Sequence, residues 1–194
     1  MARSINTRKP PTEAENGWTG TTHHERSTGA DRTADIVLVA AVIAMGLLTG
    51  LFYAFDVAVM PGLTAAEDRT LVDAMQQMIN LPAFPLTLLD APALAAVALF
   101  QARRSRSART RRWIIAAFAC YLVMVLVTVT VHFPVNDALM KAGNPTRIEN
   151  LAAVRDDFVS PWVAWNIVRT LALTAAFGCL AWALVLRGRM GRAA

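Results

Sequence analysis

Long apolar runs separated by short polar links form the main pattern of this chain. Spanning the hydrocarbon core of a bilayer takes about 20 mostly apolar residues, and four runs qualify, at residues 35–60, 82–101, 113–133 and 161–186. A soluble domain rarely gathers its apolar residues in this way. Because the backbone inside a bilayer must satisfy its own hydrogen bonds, the runs predict four transmembrane helices.

The link after the first run carries a different pattern. Residues 64–80 place Leu71 and Met75 at helical spacing, with acidic and amide side chains elsewhere around the turn. This pattern predicts a short amphipathic helix on the outer surface, or over the mouth of the bundle. Thr64, followed three residues later by Glu67, predicts that the helix begins with a capping box.

Prolines are expected to end two of the spans. Pro61 predicts the end of the first span, and Pro134 predicts a break at the end of the third. Asn136 and Asp137 follow Pro134 and are suited to cap or turn the broken helix. For Asp137 this structural role competes with a catalytic one.

Cationic residues are concentrated before the first run, between the second and third runs, and after the fourth run. The other two links mix a few cations with more acidic residues. Short cytoplasmic loops are enriched in Lys and Arg, so we expect a multi-pass protein of the cell membrane with both termini in the cytoplasm. The net charge of +5 then indicates no nucleic acid, and the bilayer is the expected partner.

The domain organisation follows from the same patterns. Residues 1–33 are polar and lack apolar periodicity, so we predict a disordered cytoplasmic tail. Residues 34–187 predict an all-α, up-and-down four-helix membrane bundle, and residues 188–194 a basic cytoplasmic tail. A stripe of small residues in the first span predicts close helix packing, either within the bundle or in a homo-oligomer: Gly46, Gly50, Ala54 and Ala58.

One arginine lies well inside the fourth run. Arg169 follows Pro161 by about 12 Å of helix, and Asp90 follows Pro82 by about the same distance. A guanidinium at this depth costs about 3 kcal/mol on insertion scales, so it usually faces a partner or a wet cavity. We predict that Asp90 is the counter-ion of Arg169. A purely structural lock between two helices is the alternative.

Other polar and aromatic residues are predicted to lie near Arg169. Trp162, Trp165 and Asn166 share its helix face by the three-and-four spacing rule, and Tyr53 reaches a similar depth in the first span. This arrangement predicts a polar, aromatic-lined pocket in the outward half of the bundle.

Four motifs together resemble the anthrone oxygenase-like family of small four-helix membrane proteins. They are FDVAVMPGL at 55–63, AMQQMIN at 74–80, HFPVNDAL at 132–139 and WVAWNIVR at 162–169. The resemblance covers about residues 34–187. Family members in polyketide pathways oxidise an anthrone to an anthraquinone with molecular oxygen, so the resemblance implies an oxygenase that uses no metal or flavin.

The resemblance also implies a chemistry for the predicted pocket. The two tryptophans would stack on a flat ring, while Arg169 and Asn166 would stabilise its anion. His132, the histidine near the membrane, or Asp90 would take the proton, although a carboxylate paired with arginine is a weak base. The candidate residues are, for catalysis, Arg169, Asn166, His132 and Asp90, and for substrate binding, Trp162, Trp165, Asn136, Asp137, Tyr53, Gln76 and Asn80.

Two classes of function remain open from the sequence. The first is a cofactor-independent oxygenase, or a related oxidoreductase, acting on a lipophilic aromatic small molecule. The second is a non-catalytic membrane module that binds a lipophile or a partner protein.

Overall fold

A computed structural model describes residues 19–81, 100, 103 and 107–191. Every regular element in this part of the chain is helical. Three helical stretches are long and apolar enough to cross a membrane: Arg32–Thr64, Ala108–Lys141 and Leu151–Arg189. The all-helical membrane fold is therefore confirmed, with the first, third and fourth predicted spans present. The second, at 82–101, lies outside the described residues apart from residue 100.

Six α-helices and two π-helical turns follow one another along the described chain. They are α1 (Thr19–Ala54), π1 (Phe55–Val59), α2 (Met60–Thr64), α3 (Asp68–Asn80), α4 (Ala108–Val127), π2 (Thr128–His132), α5 (Phe133–Lys141) and α6 (Leu151–Gly191). Helix α1 begins inside the segment predicted as a tail. Once the apolar span has nucleated a helix, adding residues at its end costs far less than starting a new one.

The two π-helical turns explain how the chain passes its prolines. In π1 the amide of Met60 donates to the carbonyl of Phe55, five residues back, and Pro61 comes next. A proline lacks the amide hydrogen and its ring clashes with the carbonyl four residues back. The wider turn opens the helix at that point, so the helical chain continues through Pro61 to Thr64.

The same arrangement recurs at the end of the third span. The amide of Phe133 donates to the carbonyl of Thr128, and Pro134 follows. The predictions that Pro61 and Pro134 end their helices are therefore wrong, because each π turn accommodates the ring that follows it.

Asn136 and Asp137 lie inside α5, so the prediction that they cap a broken helix is also wrong. The carboxylate of Asp137 instead pairs with Lys141, one turn further along, at 2.6 Å on an exposed surface.

The predicted amphipathic helix is confirmed as α3, although its start differs. Leu71, Val72 and Met75 are buried on one face of α3. The helix begins at Asp68, with Glu67 as an N-cap residue whose side chain makes no capping hydrogen bond. The hydroxyl of Thr64 donates back to carbonyls of its own helix, so the predicted capping box does not form.

Two apolar clusters hold the described helices together. The first joins α1, α4 and α6 within the spans, and its buried members include Leu38, Met45, Tyr121 and Leu173. The second lies under α3 and joins it to α2, α5 and α6 through residues such as Met60, Met75, Leu139 and Trp162. A Cβ added at Gly46 would lie 3.1 Å from the ring of Phe177 on α6. Gly46 therefore serves close packing within the chain.

The outer faces of the three spans are apolar. Large exposed side chains on these faces are Ile36, Val39, Ile43, Leu47, Leu122, Leu126, Val129, Ile167, Leu171 and Val185. Lipid tails favour such side chains, so the surface supports association with a bilayer.

Polar contacts fix α3 over one end of the bundle. The side-chain amide of Gln76 donates to the carbonyls of Leu139 and Gly143, both at 2.9 Å, at the end of α5. On the α6 side, Arg155 donates to the carbonyl of Thr64 at 3.1 Å and pairs with Asp68, also at 3.1 Å. Helix α3 is thus tied to both neighbouring helices.

Candidate functional site

Arg169 lies in the middle of α6 and is only 2% exposed. One terminal nitrogen, Nη1, donates to the hydroxyl of Thr128 at 3.3 Å, and Nη2 donates to Oδ1 of Asn166 at 2.7 Å. The guanidinium carbon lies 4.6 Å from the centre of the Phe52 ring, a distance at which the ring face attracts a cation. Helices α1 and α6, with π2, thus supply these contacts.

Asp56 on π1 provides the negative charge of the site. Its Oδ1 accepts a hydrogen bond of 2.5 Å from the amide nitrogen of Asn166, and its Oδ2 accepts one of 2.5 Å from the hydroxyl of Thr170. The same nitrogen of Asn166 also donates to the carbonyl of Phe52 at 3.3 Å. The side chain of Asn166 therefore lies between carboxylate and guanidinium, and bonds to both.

The sequence reasoning missed Asp56. Its signal was present, because an ionisable residue inside an apolar span is a candidate functional residue in its own right. Asp90, the predicted partner of Arg169, lies outside the described residues, so that pairing stays a prediction.

Trp162 is the central aromatic side chain of the site. It is buried, and its ring centre lies 5.5 Å from that of His132, in an edge-to-face arrangement with 76° between the planes. The ring centres of Phe55 and Phe158 lie 5.7 and 6.2 Å away. The guanidinium carbon of Arg169 lies 5.7 Å from the same indole.

Three buried polar atoms at and near Trp162 lack a hydrogen-bond partner among the described residues. They are Oδ1 of Asn136, Nε1 of Trp162 and Nε of Arg169. Asn136 follows His132 by four residues, so the two share a helix face. Buried polar groups are nearly always paired. Unpaired groups close together therefore mark a place suited to a ligand or to water.

The π turns place several of these side chains. Asp56 belongs to π1, whereas Thr128 and His132 begin and end π2. Single π turns within α-helices occur frequently at functional sites, because the extra residue changes the direction of the side chains around it.

The structure brings together some of the predicted residues and separates others. His132, Asn136, Trp162, Asn166 and Arg169 are buried, and polar or ring contacts join four of them, with Asn136 one turn from His132. Tyr53 and Trp165 are 57% and 42% exposed, Asp137 and Asn80 are also exposed, and Gln76 caps α5. A regular helix from Tyr53 to Pro61 would place Tyr53 at the depth of Arg169, but the π turn between the two residues changes that depth.

The side chains of the site offer several kinds of chemistry. No group of three or more His, Cys, Asp or Glu residues in the described part of the chain is arranged to hold a metal ion. A buried guanidinium and a carboxamide can stabilise negative charge on an oxygen. An imidazole can accept a proton, and an indole can line a flat apolar ring.

Comparison with known families supplies a match. Residues 75–179 match the sequence model of a protein family described as anthrone oxygenase. The match covers more than half of the chain and includes His132, Trp162, Asn166 and Arg169, whereas Asp56 lies before it. Comparisons with curated proteins and with solved structures found no match.

Proposed function

Because this chain belongs to the anthrone oxygenase family, we propose that it is a membrane oxygenase that oxidises a lipophilic aromatic molecule with molecular oxygen. The observation that carries the proposal is the buried Arg169, bonded to Asn166 and lying beside Trp162 and His132. The proposed enzyme uses no metal or organic cofactor, because the substrate itself supplies the electrons.

The substrate class is a carbon acid related to an anthrone. Such a molecule has a CH₂ group next to aromatic rings and opposite a ring carbonyl, and loss of one proton gives a delocalised anion. The anion passes an electron to O₂, and the two radicals combine to a peroxide anion that takes back the proton. Loss of water from this hydroperoxide leaves a second carbonyl. One O₂ is consumed and one water is released for each quinone formed.

Three tasks then fall to the protein. Trp162 and its aromatic neighbours line the flat ring. His132, whose ring lies edge to face against Trp162, takes the proton, whereas Asp56 already accepts two hydrogen bonds. Arg169, whose Nε lacks a partner among the described residues, stabilises the negative charge on the carbonyl oxygen in a site poor in water, and Asn166 holds the guanidinium in place.

The proposed location is the cell membrane, with both termini in the cytoplasm. Asp35 and Arg187 form an ion pair that joins the start of the first span to the end of the last. Further arginines lie at the start of α4 and in the last turns of α6. The excess of positive charge at these positions supports a cytoplasmic assignment for that end.

Oxygen uptake by membranes containing the full chain, given 9-anthrone, tests the proposal. We expect uptake with anthraquinone formation above that of empty membranes, and a loss of about 100-fold or more in Arg169→Leu. Arg189→Leu is the matched control, because it makes the same substitution at an exposed position near the end of the same helix.

Equal accumulation of all three proteins is required before rates are compared. Uptake that Arg169→Leu retains would contradict the assignment of the site. No uptake by the wild-type protein would contradict oxidation of anthrones and would favour the non-catalytic binding of a lipophile.

A further inference from the structure

An open groove runs between the end of the first membrane helix and α6, and Asp56 lies in its wall. Its volume is about 550 Å³, within the range of about 300–1,000 Å³ typical of small-molecule sites. Met60 and Pro61 line one side, and Val163 and Ile167 line the other. The groove is thus large enough for a ring system and is mostly apolar.

The groove belongs to the membrane-spanning part of the protein. Its walls come from the stretches Arg32–Thr64 and Leu151–Arg189, both long and apolar enough to cross a bilayer. Ile167 on its rim is 46% exposed. We expect this opening to face lipid, so that molecules dissolved in the bilayer would reach it sideways.

Asp56 determines which lipophile fits. An ionised carboxylate only accepts hydrogen bonds, and its two oxygens offer about four lone-pair positions. Asn166 and Thr170 each occupy one of these positions. The remaining capacity complements an O–H donor, whereas the carboxylate of a fatty acid or the phosphate of a lipid would meet a like charge in an apolar wall.

We propose that this groove is a lateral binding site for a neutral lipophile that carries a hydroxyl group, with the O–H donating to Asp56. The inference deepens the proposed function and rests on it, because Asn166 joins Asp56 in the groove wall to Arg169, so that a ligand in the groove would be one hydrogen-bonded side chain away from the guanidinium. Asp56, Met60 and Pro61 lie before the residues that match the family model, whereas Val163 and Ile167 on the opposite wall lie within them.

Ligand binding to the full chain in phosphatidylcholine nanodiscs tests the inference. The probes are anthracene, 2-hydroxyanthracene and anthracene-2-carboxylate, and quenching of tryptophan fluorescence reports binding after subtraction of empty nanodiscs. A hydrogen bond to a charged acceptor favours the hydroxyl compound, which we expect to bind at least about tenfold more tightly than anthracene. The carboxylate probe should bind most weakly.

Two comparisons test where the probes bind: the wild type with Asp56→Asn, and Val163→Phe with Val168→Phe. Asp56→Asn should remove the preference for the hydroxyl while leaving the affinity for anthracene unchanged. Val163→Phe fills the groove and should weaken both neutral probes at least about tenfold. Val168→Phe is its control, because it adds the same ring to the same helix at a residue that does not line the groove.

Equal binding of the three probes, or tighter binding of the carboxylate, would overturn the inference. So would a hydroxyl preference that survives Asp56→Asn, or equal effects of the two phenylalanine variants. If Asp56→Asn does not accumulate, the phenylalanine pair still decides. Binding is measured without turnover, so the two proposals can fail separately. Selective binding without oxygen uptake would overturn the oxygenase and keep the groove. Oxygen uptake without selective binding would overturn the groove and keep the oxygenase.

Discussion

Asn166 connects two opposite charges, Asp56 and Arg169, in the described interior of this protein. Its amide donates to Asp56 and its carbonyl oxygen accepts from Arg169, so one uncharged side chain satisfies part of both charged groups. Removing it would leave a carboxylate oxygen and a guanidinium nitrogen each short of a partner. An unpaired buried charge is more costly than a lost neutral hydrogen bond.

At the residue scale we therefore expect Asn166→Leu to lower the free energy of unfolding by about 1–3 kcal/mol. The measurement is an SDS titration of the purified protein in mixed micelles. Thr174→Val provides the comparison, because among the described residues the hydroxyl of Thr174 bonds the carbonyl of Thr170 in its own helix. Its loss should change the same free energy by less than about 0.5 kcal/mol. Equal losses of unfolding free energy in the two variants would contradict a stabilising role for the hydrogen bonds of Asn166 to Asp56 and Arg169.

The residue scale also shows where the sequence was informative and where it was not. Arg169 was found because a charge deep in an apolar run is conspicuous, and the three-and-four spacing then placed Trp162 and Asn166 beside it. Asp56 was overlooked because Pro61 and Gly62 made its segment resemble the end of a span. The exposure of Trp165 was not predicted, because it lies at the edge of the helix face and packing decides the orientation of an edge residue.

At the element scale, the two prolines act through the hydrogen-bond register of their helices. Both π1 and π2 are five-residue turns that end two positions before a proline. Apolar periodicity predicts that a helix exists but does not reveal a single wider turn within it. The sequence therefore predicted the three spans that the structure describes, and missed the π turns in which Asp56 and His132 lie.

Helix α3 depends on its contact with α5, and two adjacent glutamines allow a direct test. Gln76 donates to the carbonyls of Leu139 and Gly143, whereas Gln77 donates to Asp73 of its own helix. In Gln76→Leu we expect backbone amides of residues 138–147 to exchange with deuterium about tenfold faster, because the end of α5 loses its cap. Gln77→Leu should change their exchange less than about twofold.

Hydrogen exchange of the full chain in nanodiscs, read by mass spectrometry, measures both variants. Faster exchange in Gln77→Leu to the same extent would mean that α3 as a whole, rather than the cap on α5, protects this segment. Unchanged exchange in both Gln76→Leu and Gln77→Leu would contradict the role of Gln76 in holding α3 against α5.

At the scale of the whole molecule, the protein has two layers with different chemistry. Within the spans, lipid-facing apolar side chains surround the core of α1, α4 and α6. At one end, α3, α5 and the first turns of α6 form a cap with ion pairs between Arg155 and Asp68 and between Lys141 and Asp137. The opposite end carries the ion pair of Asp35 with Arg187.

The apolar runs of the sequence predicted the layer that lies within the spans. The contacts that tie the cap down required three-dimensional information, because Gln76 and Leu139 are far apart in the sequence.

The orientation of these two ends in the membrane is the last expectation to test. Because the arginine-rich end should remain in the cytoplasm, a cysteine at Ala152 should react with a membrane-impermeant maleimide in intact cells, and a cysteine at Ala108 only after permeabilisation. Both positions are exposed alanines near the start of a long helix, at opposite ends of the protein.

Before these cysteines are introduced, Cys120 and Cys179 are replaced with alanine to remove the native thiols. Labelling of Ala108→Cys alone in intact cells would show that the topology is inverted, with α3, α5 and the first turns of α6 on the cytoplasmic side. Labelling of both only after permeabilisation would place the protein in an internal membrane.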